Sequence, residues 1–263
     1  VFAYVIFQIT RLKILDTKDP IAQVRKLGPV FFFFVFFIIG LVTMFKGLKP
    51  LKLDLDLTEA LIGSVILGLV GAGLGIVLIR RVHLGAKDPR HRFSQVERIF
   101  VVLQILTACA IAFAHGSNDV ANAIGPLAAV AYAVQELDLG GKAPVEPWML
   151  AIGGIGIVIG LATWGYRVME TVGKRITELT PSRGFSAQLA AATTIVVASR
   201  LGIPISTTHT LVGAVLGVGL ARGISALDLR VVGKIIISWV ATLPIAAGLS
   251  IFFYFFFKGV LTP

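Results

Sequence analysis

Residues 99–135 read IFVVLQILTACAIAFAHGSNDVANAIGPLAAVAYAVQ, and Asp119 is their single formal charge. Twenty uncharged residues precede it and sixteen follow it. About 20 apolar residues are enough for a helix to cross the hydrocarbon core of a bilayer. The same texture recurs outward from this stretch. Charge-free runs occupy 27–45, 60–79, 99–118, 147–166, 201–221 and 235–257, each 19 to 23 residues long. Two shorter runs, 120–135 and 184–199, hold 16 residues each and read as partial or broken spans. Across 263 residues, 56% are hydrophobic and 14% charged, with a mean hydropathy of +0.90. Soluble domains carry roughly 25% charged residues. The pattern predicts an all-α integral membrane protein, a polytopic helical bundle.

The net charge of +10 would suggest nucleic acid in a soluble chain. Here the basic residues occupy the connections between apolar runs, with no aromatic-interleaved basic stripe, which excludes nucleic acid as a partner. The single cysteine, Cys109, lies in an apolar run and is expected to be a core thiol. The opening stretch VFAYVIFQIT has no basic leader and does not read as a signal peptide. It reads as the last turns of a helix, so the chain is expected to be a C-terminal fragment.

Lys and Arg alternate between connections. Segment 10–26 holds five, 46–59 three against Asp54, Asp56 and Glu59, and 80–98 six. Segment 136–146 holds only Lys142 against three acids, and 167–183 holds four. The positive-inside rule places 10–26, 80–98 and 167–183 in the cytoplasm and the other two outside. The stretch 99–135 must then cross once, as an interrupted helix broken at His115-Gly116-Ser117-Asn118. Both flanks of 184–221 are basic, so that stretch is expected to be a re-entrant helical hairpin. Its tip falls at 202–208, where Pro204 removes a backbone donor. The span 235–257 leaves the C-terminus outside. Non-helical backbone at membrane depth is tolerated where it is buried in protein or lines a wet cavity, and two such breaks point to a transport site.

Thirteen of the 14 acidic residues lie in or beside connections, and Asp119 is the exception. An ionised carboxylate at that depth costs roughly 2.5–3.5 kcal/mol on insertion scales. A protonated or hydrogen-bonded packing residue is the bland reading; a carboxylate neutralised by a cation is the functional one. Asn118 and Asn122 add hard amide oxygens one helical turn apart. The second constellation is Ser206-Thr207-Thr208-His209. Ser and Thr are natural N-caps, and a helix starting there aims free N–H groups and its positive dipole end at the hairpin tip. That end suits a phosphate-like anion, although simple helix capping would explain the same residues. Cation binding at Asp119 would make such a site electropositive and link the two affinities, as a symporter requires.

The run Ala114-His115-Gly116-Ser117-Asn118-Asp119-Val120-Ala121-Asn122-Ala123 resembles the signature of the inorganic phosphate transporter (PiT) family. The run Pro204-Ile205-Ser206-Thr207-Thr208-His209-Thr210-Leu211-Val212-Gly213-Ala214 resembles its second signature. The resemblance extends from about residue 90 to the C-terminus. It implies sodium- or proton-driven phosphate uptake by a multi-pass protein of the cell membrane. Sodium, a co-transported ligand rather than a cofactor, would sit at Asn118, Asp119 and Asn122, with phosphate on Ser206, Thr207 and Thr208. It also implies one half of an inverted-repeat transporter, since family members carry both signatures twice and this chain carries each once. Residues 1–98 would then hold the end of the first repeat plus connecting helices, and 99–263 the second repeat. The missing N-terminal repeat becomes an expected partner, and a homo-oligomer stays open.

Weaker signals have two readings each. His115 and His209 could relay protons or satisfy backbone groups at the breaks. Gln104 could face the Asp119 cavity or bond a neighbouring helix. Arg200 could attract the anion or pair elsewhere. The glycine clusters at 68–75 and 153–160 let helices approach closely, and the phenylalanine run 31–37 is expected to face lipid. Two rivals to sodium-phosphate symport remain: a proton-coupled phosphate or sulfate permease, and an intramembrane hydrolase built on Ser206, His209 and Asp119. The hydrolase lacks an evident oxyanion hole, so no enzyme activity is expected.

Overall fold

The computed structural model describes residues 1–47, 56–81, 89–136, 143–201, 203 and 205–261. The connections 48–55, 82–88 and 137–142, and the tip residues Gly202 and Pro204, lie outside the described residues. Among the described residues eight α-helices follow one another: α1 (Phe2–Thr10), α2 (Pro20–Val42), α3 (Leu57–Arg81), α4 (Pro89–Glu136), α5 (Pro147–Glu170), α6 (Pro181–Arg200), α7 (Thr207–Arg222) and α8 (Leu229–Leu261). Five apolar segments, built on α2, α3, α4, α5 and α8, are long enough to cross a membrane. The run 201–221 is not among them, because its first residues form a turn and the helix begins only at Thr207.

One expectation is corrected. The helix is not interrupted at His115-Gly116-Ser117-Asn118: α4 runs through it as 48 continuous residues, about 72 Å at the α-helical rise. The stretch holds one glycine and no proline, and a glycine costs only about 1 kcal/mol in a helix. His115 Nε2 also lies 2.7 Å from Asp119 Oδ2 across one turn, a side-chain contact that the helical spacing itself creates. One helix carries the chain from 89 to 136 without reversing direction. The other break is present. Leu201 ends α6 in a turn, and α7 starts six residues later. The two form a helical hairpin with its tip where Pro204 placed it in the sequence.

The hairpin is the centre of the bundle. One face of α6 buries Phe185, Leu189, Ala192 and Ile195 against α2 and α4, where Phe31 and Phe185 meet edge to face and Phe100 lies tilted against both. Its other face buries Ala187, Ala190 and Ala191 against Ala3 and Phe7 of α1 and Val215 and Val218 of α7. Small residues allow both approaches. By contrast α8 packs on this core through Val231, Val232, Ile235 and Trp239, and the most apolar window of its span holds no buried residue.

Helices α2 and α3 form an antiparallel pair. Gly68, Gly71 and Gly75 of α3 lie under Phe33, Phe36 and Phe32 of α2, and Gly40 brings its backbone against Ser64. The glycine cluster thus does what small residues do between membrane helices. The phenylalanine run is correspondingly not a lipid-facing ladder: Phe31 and Phe32 are buried, and Phe34 is the exposed one. Of the second cluster, Gly153 alone meets another helix, at Val120 and Ile124, while Gly154, Gly156 and Gly160 face open space among the described residues. Cys109 is exposed rather than a core thiol.

The basic connections converge. Arg11 donates to the Ala221 carbonyl, Arg222 to Thr177 Oγ1, and the Asp228 N–H to the Ile176 carbonyl. Glu97, only 8% exposed, accepts from the Ser182 N–H at 2.8 Å and its hydroxyl at 2.7 Å. That carboxylate caps α6 at its positive dipole end and pins it to α4. Segments 10–26, 89–98, 167–183 and 222–230 therefore share one end of the bundle, as the charge alternation required.

The glycine contacts can be tested in pairs. A Cβ at Gly71 would collide with Phe36, whereas one at Gly73 meets nothing. In the intact protein, Gly71→Ala should cost about 1–3 kcal/mol and lower the thermal unfolding midpoint in detergent. Gly73→Ala should leave it unchanged or raise it slightly.

Candidate ion and anion site

Asp119 points from α4 toward the start of α7. Thr207 Oγ1, on the first residue of α7, donates to Asp119 Oδ1 at 3.1 Å and Oδ2 at 3.2 Å. Asn118 Nδ2 donates to Asp119 Oδ1 at 3.2 Å and to the Ile205 carbonyl at 3.4 Å. His115 Nε2 completes the group at 2.7 Å from Oδ2. The carboxylate is a third exposed. Donors from two helices thus gather on a group that would otherwise be costly in an apolar stretch.

The other half is the N-terminus of α7. Ser206 is its N-cap, with Oγ accepting from the His209 N–H at 3.2 Å. The first intrahelical bond runs from the Thr210 N–H to the Ser206 carbonyl. The N–H groups of Thr207 and Thr208 precede that bond and have no partner within the helix. Ser206 and Thr208 are exposed while Thr207 is buried. In this conformation the Thr207 hydroxyl is committed to Asp119, and the exposed polar side chains at the start of α7 are Ser206 and Thr208.

The remaining candidates separate clearly. Asn122 lies one turn further along α4 and is exposed, and no hydrogen bond joins it to Asp119 among the described residues. Gln104 sits against Gly184 of α6, fifteen residues and about 22 Å of helix before Asp119; it belongs to the helix contact, not the cavity. Arg200 lies over the Phe45 ring, 5.1 Å from its centre, so it pairs away from the tip. His209 Nδ1 is 2.6 Å from Ser206 Oγ, and its ring stacks on Trp239 with centres 3.8 Å apart. Asp119 bonds His115 and Thr207 rather than His209, so the three residues of the hydrolase reading do not form a triad. Sequence reasoning missed Trp239 and Glu97. Neither lies in a motif, and nothing but the packing of α8 and α4 reveals them.

The phosphate transporter family (PHO4) model matches residues 1–250. The chain belongs to this family. Among relatives, a Haemophilus influenzae protein named "Putative phosphate permease" is 47% identical over 264 residues, covering 99% of this chain and 62% of that protein. A Pyrococcus abyssi protein of the same description is 47% identical over 252 residues, covering 95% of this chain and 60% of the relative. A solved structure described as "The sodium-dependent phosphate transporter" superposes with a TM-score of 0.83 at 38% identity, covering 98% of this chain and 62% of that one. The chain therefore spans about three fifths of the length of these transporter-family relatives.

The Thr207 contact yields a direct test. Thr207→Val removes a hydrogen bond to a charged group, worth about 1.5–3 kcal/mol. Hydrogen exchange at the amides of 205–211 in the intact family member should accelerate. Thr208→Val should leave the exchange unchanged.

Proposed function

We propose that the intact protein is a multi-pass transporter of the cell membrane that carries inorganic phosphate together with sodium. The observation that carries this reading is the Thr207–Asp119 hydrogen bond. It joins the intramembrane carboxylate to the first residue of the helix whose N-terminus faces the anion. Sodium beside Asp119 and Asn118 neutralises the carboxylate and adds positive charge within one residue of the phosphate cradle. Phosphate on Ser206, Thr208 and the first-turn N–H groups in turn favours sodium. Linkage makes each ligand raise the affinity of the other. Asn122 would complete the cation ligands from the next turn of α4. The names of the relatives and of the solved structure support phosphate as the substrate, and the last supports sodium as the driving ion. α6 and α7 are read as a re-entrant hairpin that presents the cradle at membrane depth.

Reconstituted in liposomes, the intact protein should take up labelled phosphate only with an inward sodium gradient, and Asp119→Asn should abolish uptake. Ser206→Ala should raise the KM for phosphate by about tenfold while sparing the sodium requirement. No phosphate uptake, with sulfate carried instead, would overturn the substrate.

A second reading has its own observation. The 2.7 Å contact between His115 and Asp119 is an imidazole–carboxylate pair that can hold and pass a proton. If protons drive the cycle, His115→Gln should abolish uptake driven by a pH gradient. If sodium does, uptake in the same variant should keep its sodium dependence.

A further inference from the structure

At the basic end of the bundle, Phe7, Arg11, Leu15, Asp16, Thr180, Ser182, Arg183 and Arg222 enclose a cavity of about 280 Å³. Three guanidinium groups from α1's end, α6 and α7 face one space. The cavity is separated from the hairpin tip by the length of α6, 20 residues, about 30 Å. The transport site makes no use of it.

The charges around this cavity match in number, Arg11, Arg183 and Arg222 against Asp16, Glu178 and Glu97, but they are unevenly placed. Arg183 and Arg222 have side chains only 19% and 23% exposed, and they share one carboxylate, Glu178, at 3.7 and 3.9 Å. Glu178 is 82% exposed, so water screens most of its charge. Glu97, the other nearby acid, has both oxygens engaged by Ser182. Asp16 pairs with Arg11 at 2.8 Å. Neutral oxygens take some of the remaining donors: Arg11 donates to the Ala221 carbonyl, Arg183 to the Glu178 carbonyl, and Arg222 to the Glu178 carbonyl and the Thr177 hydroxyl. Burial, and behind it the charge of Arg222, lower the Arg183 pKa from the ordinary guanidinium value. Two like charges are thus held close together in partial burial, with solvated Glu178 shared between them and Glu97 a further counter-charge to Arg183. Each guanidinium has five donors in a fixed fork, a geometry that matches the oxygens of a phosphate group.

We propose that this cavity is a second oxyanion site, in which Arg11, Arg183 and Arg222 bind a phosphate group. The volume accommodates a phosphate with several waters. Two sources share that chemistry: free inorganic phosphate, and the headgroup of an anionic phospholipid. The apolar walls Phe7 and Leu15 leave room for either, and basic pockets between membrane helices hold lipid headgroups elsewhere.

The test uses the intact, delipidated protein in detergent and the double variant Arg183→Gln/Arg222→Gln. One arm measures radiolabelled inorganic phosphate bound per chain in sodium-free and sodium-containing buffer. A free-phosphate site appears as a sodium-independent class of binding that weakens about tenfold or more in the variant, while the sodium-dependent class persists. The other arm adds phosphatidylglycerol or phosphatidylcholine and counts lipids retained by native mass spectrometry. A headgroup site appears as phosphatidylglycerol retention that the variant loses and phosphatidylcholine does not mimic. Should the double variant fold poorly, Arg222→Lys keeps the charge, removes the fork, and should still weaken whichever ligand binds. Wild-type and folded variant protein behaving alike in both arms would overturn the proposal.

Discussion

A carboxylate in the middle of an apolar helix has to be neutralised or hydrogen-bonded, and the way Asp119 meets that demand organises the molecule. Its partners come from its own helix, His115 and Asn118, and from the first residue of α7. The last contact exists only because the chain turns back between α6 and α7 at the level of Asp119. That turn in turn needs α6 to run beside α4 for its whole length. Its start is pinned at Glu97–Ser182, its middle is tied by Thr107 to Gln188, and its tip is reached by Asn118 at the Ile205 carbonyl. The hairpin thus hangs from α4 at three heights.

Burial is distributed accordingly. α6 is packed on both faces because it carries the tip, and small residues let α1, α4 and α7 close in on it. α2 packs against it from one side, and α3 is joined to α2 by a glycine–phenylalanine interlock. α5 and α8 bury little, which suits helices whose neighbours are lipid or further protein. Bringing basic segments to one end has a second consequence. Arg11, Arg183 and Arg222, distant in the chain, line one cavity there.

The composition and charge-free runs alone determined that this is a helical membrane protein, because about 20 uncharged apolar residues have one economical fate, a spanning helix. Charge alternation determined which connections share an end, and the two motifs singled out Asp119 and Ser206–Thr208. The break before α7 was legible because proline removes a donor. The expected break in α4 is absent because glycine, serine and asparagine are poor helix formers singly, yet a cost of about 1 kcal/mol or less each is too small to end a long helix. Only the tertiary structure decided that Thr207 bonds Asp119, that Gln104 and Arg200 serve other contacts, and that His209 rests on Trp239. Those pairings join residues far apart in the chain, and local sequence holds no record of which helices will lie side by side.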